Sequence, residues 1–91
     1  MLDHQKRVTL SKDVLLRPVG EEGVLLSLKT GLYFSLNPVG LRMLETLTHS
    51  DSLEQALASL LDEYEVEPAE LRGDLLKLLA NLLKQGLVEQ V

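Results

Sequence analysis

The sequence predicts an α+β, winged-helix-like domain: a three-stranded antiparallel sheet followed by three helices, in the order β-β-β-α-α-α. Three observations predict it. Between residues 14 and 36 apolar side chains tend to alternate with a period of two, and from 38 to 84 they recur every three or four residues. Helix-start signals stand at Asn37-Pro38, Ser52 and Pro68. The connections are short, so three helices must cover one face of a small sheet.

Residues 1–13 are polar and mixed, without a clear period. They are expected to be a loosely ordered N-terminal segment, loosest at its first residues. Residues 14–91 are expected to be one domain, because 91 residues suffice for one core and not for two. Residues 14–19 (VLLRPV) read as a strand, with Pro18 marking an edge position or the strand's end. Gly20-Glu21-Glu22-Gly23 is a turn. Residues 24–28 form a second strand, with Val24, Leu26 and Leu28 on one face and Leu25 and Ser27 on the other. Lys29-Thr30-Gly31 is a hairpin loop with Gly31 suited to the left-handed position. Residues 32–36 are the third strand, Leu32, Phe34 and Leu36 pointing one way, Tyr33 and Ser35 the other.

The period then changes. Asn37 is a strong N-cap, and Pro38 at the first helical position gives up only an amide that has no partner there. The helix through about Thr48 carries Val39, Met43, Leu44 and Leu47 on one side. Ser52 with Gln55 is a capping box, and behind it Leu53, Ala56, Leu57, Leu60, Leu61 and Tyr64 form a full apolar stripe. Pro68 opens the last helix, and Gly86 closes it ahead of Leu87-Val88.

That last helix is unusually apolar. At about 100° per residue, Leu71, Leu75, Leu78 and Leu82 make one stripe and Leu76, Leu79 and Leu83 a second, together spanning roughly 180°. Either both stripes lie beneath the other helices and the sheet, or the second lines a groove that a partner covers. A leucine-rich helix beside an unpaired sheet edge has the parts to capture an extended peptide.

Composition narrows the function classes. With no cysteine, disulfides, thiolate metal sites and cysteine nucleophiles are excluded. His4 and His49 stand alone, outside any metal-ligand spacing, so neither metal nor cofactor is expected. The acid pairs Glu21-Glu22 and Asp62-Glu63 read as solvated, and Gly20, Gly23 and Gly31 lack a phosphate-loop spacing. The expectation is a protein without catalytic activity. The net charge is −5, with nine basic residues scattered among fourteen acids, which argues against nucleic acid. A winged-helix DNA-binding regulator would carry cations on its last helix, whereas here Arg72, Lys77 and Lys84 are balanced by Glu70 and Asp74. No run of 18 apolar residues and no secretory signal are present, so a cytoplasmic protein without membrane contact is expected. A structural subunit joined through its apolar helix stays open as an alternative.

From residue 23 onward the pattern resembles the PqqD-like RiPP recognition elements. The run Thr30-Gly31-Leu32-Tyr33-Phe34-Ser35-Leu36-Asn37-Pro38-Val39-Gly40 is similar to the family's strand ending in Leu-Asn and followed by a helix. Leu60, Tyr64 and Val66 resemble the end of its second helix. Asp74-Leu75, Leu78-Leu79, Leu82 and Gly86-Leu87-Val88 resemble its third. The loop Thr48-His49-Ser50-Asp51 departs from the usual Asp-Gly. The run from Thr30 to Pro38 looks more like the stand-alone proteins of lasso-peptide clusters than the pyrroloquinoline quinone (PQQ) carriers, which remain the alternative. The resemblance implies binding of a precursor leader peptide as an added antiparallel strand, against the third helix. It also implies a leader peptidase, or another maturation enzyme, as partner. The candidate site is then Leu32, Tyr33, Phe34 and Ser35 on the strand, with Leu75, Leu76, Leu79 and Leu83 as the groove. Arg72 and Asp74 are either polar anchors at its rim or plain solvated charges. Phe34 is expected to pack towards the helices and Tyr33 to lie on the other face.

Overall fold

In the computed structural model, which describes residues 5–91, the chain runs β1 (Val8–Leu10), β2 (Val14–Val19), β3 (Glu22–Ser27), β4 (Tyr33–Leu36), α1 (Pro38–Thr48), α2 (Leu53–Glu63), α3 (Pro68–Lys84), β5 (Val88–Gln90). The loosest part expected of the N-terminal segment, its first residues, lies outside the described residues. The predicted three-stranded antiparallel sheet and three helices are all present, the sheet ordered β2-β3-β4.

Turn chemistry sets the register of that sheet. Gly20 holds φ +64 as the first of two residues between Val19 and Glu22, the arrangement of a type II′ hairpin whose twist matches its strands. At the second hairpin Gly31 takes φ +75, as the sequence predicts. Its amide donates to the Ser27 carbonyl at 2.7 Å, while Ser27 donates to the Leu32 carbonyl at 3.0 Å. Leu16, Leu25 and Phe34 align in one row across the sheet and Leu15, Leu26 and Tyr33 in the next. The first row faces the helices, with Leu25 wholly buried, and the second faces out, with Tyr33 exposed. Leu32, expected on the core face, instead lies in the hairpin turn, 68% exposed, because the turn releases the chain before alternation begins.

Two elements were not anticipated. Val8–Leu10, inside the segment expected to be loose, pairs antiparallel with Val88–Gln90. Arg7 and Val91 exchange backbone hydrogen bonds of 3.0 and 2.9 Å beyond the ladder, and Val8 is buried in the core. Each strand is three residues long, too short for periodicity to reveal, and each exists through the other.

The helix termini follow their caps. Asn37 Oδ1 accepts from the Gly40 amide at 2.7 Å, and Ser52 Oγ from the Gln55 amide at 3.1 Å. Gln55 returns the contact to the Asp51 amide, one residue outside the usual box. Tyr64, expected within α2, is extended and closes it at Glu63. After α3, Gly86 at φ +72 donates to the Leu83 carbonyl and Leu87 to that of Leu82, the paired bonds of a Schellman motif. The core is nearly all leucine: Leu44, Leu47, Leu53, Leu60, Leu75, Leu79 and Leu82 are each less than 2% exposed. Two ion pairs tie the helices from outside. Arg42 clamps Glu63 at the end of α2, and Arg72 grips both carboxylate oxygens of Glu54 at 2.7 and 2.6 Å.

Candidate functional site: a sheet edge beside a groove

The order β2-β3-β4 leaves one side of β4 with no strand against it among the described residues. The bond from Ser27 to Leu32 marks that pair as hydrogen-bonded, so by alternation Leu25–Phe34 and Gly23–Leu36 are too. Phe34 and Leu36 therefore turn their amides and carbonyls to β3. Tyr33 and Ser35 turn theirs outward, to the open edge.

Beside that edge runs a flank of α3. Between them lies a depression of about 320 Å³, whose walls include Phe34, Leu36, Val39, Met43, Asp74 and Leu78. Past the end of β4 it continues, through the shared residues Val39, Met43 and Asp74, into a recess of about 140 Å³ reaching Tyr64, Val66 and Glu70. At the other end Phe34 joins it to a recess of about 160 Å³ bounded by Leu32, Gln85 and Leu87. These depressions follow the α3 flank made by Glu70, Asp74, Leu78 and, at its C-cap, Gln85, which fall within about 80° of each other on the helix.

The candidate residues divide against this geometry. Phe34 is half-buried and forms a wall; Ser35 lies on the strand edge and lines the depression; Tyr33 is on the outer face of the sheet and, with Leu32, borders the far recess. Asp74 stands exposed at the rim. Leu75 and Leu79, at 1% and 0% exposure, belong to the core and not to the groove. Leu76 and Leu83 are half-buried against the core and fall within about 40° of Arg72 on the helix. Arg72 is held by Glu54 of α2, so this flank faces α2, away from β4. The groove leucine is Leu78, which the sequence reading assigned to the buried stripe. Val39 and Met43, taken as one face of α1, also line the groove, Val39 being 45% exposed.

The groove's electrostatics are acidic at one end. Glu70 and Asp74 sit on its rim, Glu65 and Glu67 are exposed in the adjoining α2–α3 connection, and among the described residues no basic side chain lines it, although Lys77 is exposed on the same flank of α3, about 20° from Glu70 on the helix. The hydrogen bond from Arg42 holds the Glu63 carboxyl below its ordinary value, and the same bond raises the Arg42 guanidinium. Among the described residues no group of three or more His, Cys, Asp or Glu side chains is placed to hold a metal, and no helix is long and apolar enough to cross a membrane.

Known proteins resemble the chain at several levels. The family model described as coenzyme PQQ synthesis protein D (PqqD) matches residues 22–88. A solved structure described as TbiB1 in complex with the TbiA(beta) leader peptide is 32% identical, covers 89% of this chain and 94% of that one, and superposes with a TM-score of 0.81. A second, described as lasso peptide synthetase B1 complexed with the leader peptide, is 24% identical over 91% of this chain and 98% of that one, with a TM-score of 0.83; at that identity the likeness is one of fold. No curated protein matches the chain.

Proposed function

The chain belongs to the PqqD family of RiPP recognition elements, and from that premise we propose that it binds the leader of a ribosomally made precursor peptide as a fourth strand of its sheet. The observation that carries this reading is the open edge of β4 beside an apolar groove. The sheet is antiparallel throughout, and an antiparallel leader continues it. The 32% identical relative was solved with a leader peptide, which supports the same assignment.

Magnitudes divide the work between edge and groove. The outward groups of Tyr33 and Ser35 offer a leader a few backbone hydrogen bonds, each netting about 1 kcal/mol. Association costs on the order of 4–15 kcal/mol in lost freedom. The edge alone therefore cannot hold a peptide. Burial of the groove's apolar walls, at about 25 cal/mol per Å², supplies the rest and makes the choice of peptide.

On this reading the protein performs no chemistry. It presents the leader to a maturation enzyme in the cytoplasm, and the run from Thr30 to Pro38 favours the leader peptidase of a lasso-type pathway over a PQQ pathway. Binding DNA through α3 is disfavoured by its exposed side, where Lys77 and Lys84 are balanced by Glu70 and Asp74. Titration with the leader of its precursor, followed by backbone amide NMR, tests the proposal. Shifts should concentrate on β4 and on the α3 flank from Glu70 to Gln85. Saturable binding that moves neither would contradict it.

A further inference from the structure

The groove does not end where β4 ends. Beyond Leu36 it opens into the recess walled by Val39, Met43, Tyr64 and Val66 and rimmed by Glu70 and Asp74. Its walls are apolar, and Val66 is 44% exposed at its mouth. Among the described residues neither rim carboxylate has an ion pair or hydrogen-bond partner, unlike Glu54 and Glu63, which are held by Arg72 and Arg42. Glu65 and Glu67 add to the negative field from the adjoining loop. An apolar side chain of the leader would fill the walls and leave the carboxylates unmatched. An acidic one would be repelled. A long cationic side chain satisfies both, laying its methylenes on Val39, Met43 and Tyr64 and its head on the rim.

We infer that this recess takes a Lys or Arg side chain of the leader, at a position just N-terminal to the segment that joins the sheet. The order follows from direction. The chain in β4 runs from Tyr33 towards Leu36 and the recess, so an antiparallel leader enters at the recess and leaves past Leu32. The inference rests on leader binding at the β4 edge, and it adds a sequence requirement to that reading.

Selection of a random linear peptide library, displayed on mRNA, against the protein tests it. Selected peptides should share an apolar extended segment preceded by Lys or Arg, and replacing that residue by norleucine should weaken binding about three- to fivefold, the scale of an exposed ion pair. Against the double variant Glu70→Lys, Asp74→Lys, the same position should turn to Asp or Glu. Selected peptides that lose binding to a Ser35→Pro variant, yet show no charge preference there in either selection, overturn the inference and leave the edge reading standing. Selected peptides whose binding is indifferent to Ser35→Pro overturn both.

Discussion

Leu76 and Leu78 stand on opposite flanks of α3, about 160° apart on the helix. Both are half-buried against the core, but Leu78 also lines the groove beside β4, while Leu76 lies on the flank that meets α2. The two residues are near neighbours in sequence and alike in chemistry, and they should differ sharply in function. Replacing Leu78 by Asp puts an unpaired charge beneath the bound peptide and should weaken leader binding more than tenfold, with the helical spectrum intact. Replacing Leu76 by Ala should cost about 2 kcal/mol or more of stability through lost packing and leave affinity within twofold. Calorimetric titration and urea denaturation separate the two effects. Equal loss of affinity in both variants would count against the groove as placed.

The same contrast holds for the backbone of β4. The Ser35 amide points to the open edge and the Phe34 amide to β3. Ser35→Pro should therefore fold, since proline is tolerated where a strand's amide faces out, and should bind leader at least fivefold more weakly. Phe34→Pro should lose the fold, seen as a collapse of amide dispersion.

Much of this was legible in the residues. Asn37-Pro38, Ser52 and Gly86 announced helix ends that the structure keeps, since each cap is a local bond between near neighbours in sequence. Gly31 announced its own left-handed turn. What eluded the sequence depended on long-range partners. Val8–Leu10 is a strand because Val88–Gln90 reaches it from the other end of the chain. The helical wheel separates the flanks of α3 but does not say which flank meets β4 and which meets α2. That depends on how the Leu71, Leu75, Leu79 and Leu82 face beds into the core, and it moved the groove from Leu76 and Leu83 to Leu78. A local hint existed: Asp74, one turn before Leu78, shares its flank.

Two local devices should carry measurable stability. Asn37→Ala removes the oxygen that receives the Gly40 amide at 2.7 Å and should cost about 1 kcal/mol. Gly31→Ala forces a side chain onto φ +75 and should cost about the same. Both are read from the urea midpoint at unchanged slope.

Glu63 gives the fold an acid-sensitive contact. Its folded value is depressed by the hydrogen bond from Arg42, while the unfolded chain restores the ordinary one. The contribution is therefore complete above the ordinary glutamate value and is lost as pH falls through the lower folded value. Thermal melts taken downward from neutral pH should show Glu63→Gln starting lower than the wild type and converging on it in acid. A constant gap between the two proteins would contradict the assignment.

The central claim is that a leader becomes the strand beside β4, and amide hydrogen exchange of Tyr33 and Ser35 tests it most directly. In the free protein these two amides face the open edge and should exchange quickly, while Phe34, bonded to β3, is protected. With saturating leader both should slow by at least tenfold and join Phe34 in protection. If the leader binds at full affinity while Tyr33 and Ser35 go on exchanging as in the free protein, the peptide is not a strand of this sheet.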